Sequence, residues 1–315
     1  MSTSEIPLST QQGEAPAPAI AVQIARATEE EKAKSKYLKG WSGSVLTVIV
    51  IALGLFWSVP TFGLFISSFR PATLITSTGW WTGLVPPWNF TIQNYVNVIQ
   101  ANGLGQTFLN SLIIAIPGTI FPILLGAFAA YAFAWMKFPG RDWLFFGVVA
   151  LLVIPSQIAL GPVFTLFSSI GLTGTYYAIW IAHTAFGLPF AVFLLRNFFA
   201  ALPKDLMESA YIDGASTWRV FWTIVLPLSV PALASLAIFQ FMWVWNDLLV
   251  ALIFLGGNPN IAPFTLTVAN LVGSYGENYP ILTAAAFLAM ALPLVVFFSM
   301  QRYFVRGILA GSVKG

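Results

Sequence analysis

The chain has no cysteine, a single histidine and very few charges. Without cysteine there can be no structural disulfide and no thiolate metal site. With His183 alone, a multi-histidine metal centre cannot form within this chain. Charged residues make up 8% of the sequence and hydrophobic residues 58%. An ordinary globular domain carries about 25% charged residues. So few charges cannot cover the surface of a soluble protein of 315 residues, so the chain is solvated mostly by lipid. Its 12 Trp and 28 Phe suit lipid cores and membrane interfaces. No Gly-x-x-x-x-Gly-Lys-Ser/Thr phosphate loop occurs, which excludes ATP hydrolysis through that fold. No Ser/His/Asp constellation or metal-ligand cluster is visible, which argues against an integral membrane enzyme. The net charge of +3 is small and unevenly placed. It reads as a topology signal and implies no nucleic-acid partner.

What is present is a polar tail followed by apolar runs. Residues 1–39 are rich in Ala, Pro, Gln and Glu, with the run Glu29-Glu30-Glu31 ahead of Lys32, Lys34, Lys36 and Lys39. Such a stretch buries too little apolar surface to offset its ordering entropy, so a disordered tail is expected. Residues 40–315 read as one all-α transmembrane domain without an internal linker. A helix needs about 20 residues to cross the hydrocarbon core. Spans are expected at about 41–69, 107–135, 143–167, 176–195, 232–255 and 281–300. With six spans, every Lys and Arg except Arg70 falls on one side. The positive-inside rule then puts both termini in the cytoplasm. Among the outer loops, Pro71–Gln106 is long, with a short interfacial helix expected within Thr91–Gln100. Asn110-Ser111 reads as a capping pair near the start of the second span. Gly256–Pro280 reads as a Gly-, Pro- and Asn-rich loop.

Between the fourth and fifth spans lies a patterned segment, Pro203–Pro231. Pro203 can open a helix. Leu206, Met207, Ala210 and Tyr211 then share one face, and Lys204, Asp205, Glu208, Ser209 and Asp213 the other. Gly214 suits a left-handed helix end, and Ser216 can cap the next helical stretch. Pro227 and Pro231 bend the chain as it enters the fifth span. Periodicity alone leaves two readings open: an amphipathic surface anchor, or a docking helix for a partner.

The residues themselves go further. Glu208-Ser209-Ala210, then Gly214, then Ile224, Leu226 and Pro227, resemble the EAA signature of binding-protein-dependent ABC importer permeases. Ser209 stands where that family usually has Ala. Tyr211-Ile212-Asp213-Gly214-Ala215, Trp245-Asn246-Asp247 and the ending, Gln301–Gly307 with the closing Gly311–Gly315, resemble the smaller permease of the maltose-transporter group. The resemblance implies a type I importer permease fold, multi-pass in the bacterial cytoplasmic (inner) membrane. It implies an ATP-driven import of carbohydrate, an oligosaccharide or glycoside. It implies a second permease subunit, usually a different chain, and a dimeric ABC ATPase that uses ATP and magnesium, with no cofactor bound by this chain. An extracytoplasmic substrate-binding protein completes the expected partners, beside membrane lipid. Glu208, Ser209, Ala210, Asp213 and Gly214 become the expected ATPase-coupling residues. A polyol, amino acid or peptide as solute, or an ion-coupled secondary transporter, are the alternatives.

Three polar residues in the spans are candidates for the substrate path. Asp247 is the acidic residue well inside a predicted span, with Asn246 beside it. His183 lies near the centre of the fourth span. Intramembrane ionisable groups are costly and face the bundle interior or water. Each can also be read as an interhelical hydrogen-bond partner.

Overall fold

The computed structural model describes residues 44–100, 103–274 and 279–312, and among them every regular element is helical. The polar tail 1–39 lies outside the described residues. The chain divides into two units, Met1–Phe62 and Gly63–Gly315. The described part of the first is the leading portion of α1 (Ser44–Ser68).

The second unit holds α2 (Ala72–Ser77), a short 3-10 helix (Trp80–Leu84) and α3 (Gln93–Gln100). The long outer loop expected between the first two spans is therefore largely helical. Arg70, the one cation outside the positive-inside pattern, is buried there. Its guanidinium donates to the carbonyls of Leu74 and Gly79 and to the hydroxyls of Thr78 and Thr82. The Asn94 amide in turn donates to the carbonyls of Ser68 and Arg70, at 3.0 and 2.8 Å. Arg70 is thus a structural rivet for this cap, where its rigid fork of donors is satisfied.

The bundle follows with α4 (Leu104–Trp135), α5 (Arg141–Leu151), α6 (Ser156–Ser169) and α7 (Tyr176–Ala200). After α8 (Lys204–Ile212) come α9 (Thr217–Val220), a π-helical turn (Phe221–Val225) and α10 (Leu226–Leu228). The chain ends with α11 (Val230–Asn246), α12 (Leu249–Phe254), α13 (Phe264–Ser274) and α14 (Tyr279–Ser312). α1, α4, α7 and α14 are each long and apolar enough to cross a membrane. α5 with α6, and Thr217–Leu228 with α11, pass the same test only as pairs bent by 100° and 74°. Among the described residues, four helices, or up to six if each bent pair counts as one, are therefore long and apolar enough to cross a membrane.

Two expected helices are broken. The run expected as one helix, 143–167, becomes α5 and α6, because Pro155 offers no N–H and disfavours helical geometry in the residue before it. The run 232–255 stops at Asn246, where Asp247 is extended with ψ 131°. The expected loop 256–280 contains α13, whose apolar residues Phe264 and Leu266 are buried.

α4 and α7 run parallel. Their starts share a cluster that includes Ile114, Ala115, Ile179 and Ala182, and their ends share another with Ala127, Ala130, Leu195 and Phe199. α11 crosses them in the opposite sense, with Ala232 and Leu236 in the second cluster and Val244 and Trp245 in the first. Close approach of α4 and α7 requires a small residue at position 126. A Cβ added at Gly126 would stand 2.7 Å from the Ala191 Cβ. This is the small-residue packing that membrane helices use in place of a hydrophobic drive.

Prolines inside α4 and α14 free carbonyls four residues upstream. Pro117 frees Ile113, Pro122 frees Gly118 and Pro293 frees Ala289. Each freed carbonyl accepts an N–H from another helix. Trp180 Nε1 donates to Ile113 at 2.9 Å, Gln240 Nε2 to Gly118 at 3.2 Å, and Trp245 Nε1 to Ala289 at 3.0 Å. In lipid a bare carbonyl costs several kcal/mol, about what an unsatisfied buried group costs elsewhere, so these donors tie the bundle together. Gln240 is hence an interhelical tie.

Candidate functional site

The segment after α7 folds as its local chemistry dictates. Pro203, with φ −58°, stands at the N-cap of α8. Gly214 takes φ +78° and closes the helix. The Ala215 N–H donates to the Ala210 carbonyl at 2.9 Å, and the Gly214 N–H to Tyr211 at 3.1 Å. These are the two bonds of a Schellman ending. Ser216 Oγ then accepts the Arg219 N–H at 3.3 Å and starts α9. A 74° bend at Ser229 passes the chain into α11.

The inner side of this bend is anchored. Met207 is 2% exposed and lies in the second core cluster with Phe199, Val220, Phe221 and Val225. Ala210 packs half-buried on the same cluster. The Tyr131 hydroxyl of α4 donates to the Thr217 carbonyl at 3.1 Å and lies 3.3 Å from the Tyr211 hydroxyl. The outer side is free of the bundle: Glu208, Ser209, Asp213 and Gly214 are exposed, and Ile212 is 86% exposed. Among the five expected coupling residues, Ala210 is thus turned inward, where its small side chain lets α8 sit close to the bundle. Leu206 and Tyr211, expected on the apolar face, are each 43% exposed.

The candidate path residues divide differently. Asp247 does not lie inside a helix. It sits at the break after α11, where its Oδ2 accepts the Ala251 N–H at 3.1 Å and caps α12. Its carbonyl accepts from the Thr265 hydroxyl at 3.0 Å. Across the gap, Nε2 of the fully buried His183 lies 4.0 Å from Asp247 Oδ2, and its ring is nearly perpendicular to that of Trp243, 5.9 Å away. Among the described residues, neither imidazole nitrogen has a hydrogen-bond partner. His183 and Asp247 line a small cavity with Ser111, Trp245 and Pro263. Asn246 does not join them: it is exposed and its amide donates to the Met242 carbonyl at 2.7 Å.

Asn110 and Ser111, expected as caps, lie inside α4, which begins at Leu104 after the left-handed Gly103. Their partners come from the far side of the sequence. Asn110 Nδ2 donates to the carbonyls of Asn260 and Ala262, at 2.9 and 3.0 Å. Its Oδ1 accepts from Tyr176 Oη at 2.8 Å and Gln106 Nε2 at 3.1 Å. Ser111 Oγ accepts the Phe264 N–H at 2.7 Å. The pair pins the loop that leads into α13.

Comparison with known proteins agrees with this architecture. Residues 122–310 match the family described as binding-protein-dependent transport system inner membrane component. The chain is similar to the osmoprotective compounds uptake permease protein GgtD of Synechocystis sp., with 53% identity over 277 residues, 87% of this chain and 93% of that one. It is also similar to the alpha-glucoside transport system permease protein AglG of Rhizobium meliloti, with 55% identity over 239 residues, 74% of this chain and 63% of that one. Among solved structures, a bacterial ABC transporter involved in the import of the acidic polysaccharide alginate superposes with a TM-score of 0.72 at 20% identity, over 84% of this chain and 97% of that one. At that identity the likeness is one of fold.

Proposed function

The chain belongs to the family of binding-protein-dependent transport system inner membrane components, and from that premise we propose that it is the permease subunit of an ATP-driven importer that moves carbohydrate, an oligosaccharide or glycoside, across the cytoplasmic membrane. The observation that carries this is the bend at α8 and α9: its inner side is locked to α4 and α7, while Glu208, Ser209, Asp213 and Gly214 face outward. A partner ATPase, which alone uses ATP and magnesium, docks on that outer face. Met207 and the Tyr131 hydroxyl carry its motion into the bundle. The α-glucoside permease among its relatives supports a sugar as the solute.

Residues 40–315 act as one permease domain with six spans, each bent pair counted as one, and residues 1–39 form a cytoplasmic tail. The parallel course of α4 and α7 supports that count, since α5 and α6 must then return the chain. Lys137, Arg141, Arg196, Lys204 and Arg219 all lie at the end of the bundle where α8 packs, which supports a cytoplasmic face there. A second permease, a different chain, supplies the rest of the path, and an extracytoplasmic binding protein delivers the solute. His183 and Asp247 stand on this path, and Asn246 borders it.

The test is copurification of the tagged chain with its ATPase from native membranes. Glu208→Lys is expected to abolish copurification and uptake while the chain still inserts in the membrane. Unchanged uptake by that variant would refute the docking role of this face.

A further inference from the structure

Beyond the coupling bend and the His183–Asp247 contact, a cleft of about 680 Å³ opens between the start of α4, the loop after α12, and α13. Small-molecule sites typically occupy about 300–1,000 Å³. The polar side chains that line it belong to Gln106, Thr107, Asn260, Thr267 and Asn270. All are neutral amides or hydroxyls, and among the described residues the lining holds no charged and no aromatic side chain. One wall is fixed in advance, because Asn110 holds the carbonyls of Asn260 and Ala262 and Ser111 holds the Phe264 N–H. Such preorganisation lowers the cost of binding.

We propose that this cleft is an outer subsite for neutral, hydroxyl-rich solutes, and that it discriminates against charged ones. The proposal rests on the importer function above, which puts this end of the bundle on the extracytoplasmic side. Side-chain amides and hydroxyls offer both donors and acceptors, which matches a sugar hydroxyl that needs one of each. A carboxylate or ammonium entering the cleft sheds water and meets no counter-charge among the described lining residues. A quaternary ammonium finds no aromatic face among them to offset that loss. The cleft therefore fits a disaccharide and not a zwitterion or an acidic sugar.

Saturation-transfer NMR on the purified transporter complex, without its binding protein, tests this with trehalose as the neutral probe. Glycine betaine and a glucuronate-containing disaccharide serve as charged probes. The wild type is expected to bind trehalose and neither charged probe. Asn260→Ala with Asn270→Ala removes two exposed amides while leaving the Asn260 carbonyl in place, and weakens trehalose about tenfold, as the loss of one or two neutral hydrogen bonds requires. Asn270→Gln, which keeps an amide, is expected to restore part of that loss and to report on folding. Trehalose import by a reconstituted transporter whose NMR signal is absent, or unchanged in the double variant, would overturn the subsite and leave the importer function standing. Charged-probe binding that the double variant removes would overturn the neutral-solute preference. Import of charged solutes alone would overturn the carbohydrate assignment and the subsite with it.

Discussion

Replacing Gln240 by Leu separates two explanations of this buried amide. Gln240 is 3% exposed and donates to the Gly118 carbonyl that Pro122 has freed. If Gln240 were needed on the solute path, its loss would act on uptake. If it serves Pro122, its loss acts on stability and depends on the proline. Interhelical hydrogen bonds in membranes average about 0.6 kcal/mol and reach about 1.7, because the separated helices find other partners. The Gly118 carbonyl has no such alternative within α4, so the upper end applies, about 1.5 kcal/mol. Leu keeps most of the volume that Gln240 places against Gly187, where an added Cβ would meet the Gln240 amide at 2.6 Å. Packing loss is therefore a minor contribution. Pro122→Ala returns an N–H to the same carbonyl. In that background Gln240→Leu is expected to cost only about 0.5 kcal/mol, a coupling of about 1 kcal/mol. Thermal unfolding in detergent reads this as a shift of about 2–4 °C per kcal/mol. Equal losses in the two backgrounds, within about 0.5 kcal/mol, would refute the proline-tie explanation.

Gly214 and Gly140 both adopt φ +78°, and a Cβ at either meets nothing within 4 Å. Ala at each therefore carries the same left-handed backbone cost, about 1–2 kcal/mol. Gly214→Ala is expected to weaken ATPase copurification up to about 5- to 30-fold, with Asn in its place milder, and Gly140→Ala is expected to leave it unchanged. Equal effects at both would refute a specific role for the bend. Arg70→Lys removes the fork that serves Leu74, Gly79, Thr78 and Thr82, and is expected to lower the melting temperature by several degrees while uptake of the surviving protein stays intact. Asn110→Ala orphans the carbonyls of Asn260 and Ala262, at about 1–3 kcal/mol each if they stay buried. Limited proteolysis should then cut the loop after α12 faster. Asp247→Ala uncaps α12 and is expected to cost about 1 kcal/mol, whereas Asp247→Asn keeps the cap at near-native stability. A loss of uptake in the Asn variant assigns the charge, and not the cap, to the path.

Lipid solvation and the bend at Gly214 were legible in the sequence, because both depend on local composition and spacing. A run of apolar residues shows itself, and Gly three residues beyond Tyr211 and two before Ser216 admits few geometries. The breaks were harder to read. No residue type within 232–255 marks Asp247 as extended, and the Thr265 hydroxyl that its carbonyl accepts from lies outside that run. Asn110 and Ser111 resembled caps because they precede a strongly apolar run. Their partners lie about 150 residues away, beyond any local pattern. Proline in a span was legible as a kink, but the donor that serves each freed carbonyl is a choice of neighbour that only packing makes. His183 and Asp247 could be named singly, whereas their 4.0 Å contact follows from the unwound turn at Asp247.

The parallel pairing of α4 and α7 bears on how the chain is made. Gly126 and Ala191 meet closely, yet α5 and α6 lie between them in the order of synthesis. At about 5–20 residues per second, the 65 positions from Gly126 to Ala191 take roughly 3 to 13 seconds to emerge. For that interval the glycine face of α4 waits in the bilayer without its mate. α5 and α6, made in the meantime, must leave that face open until α7 arrives. The order of synthesis is therefore not the order of packing, since α4 pairs with the later α7.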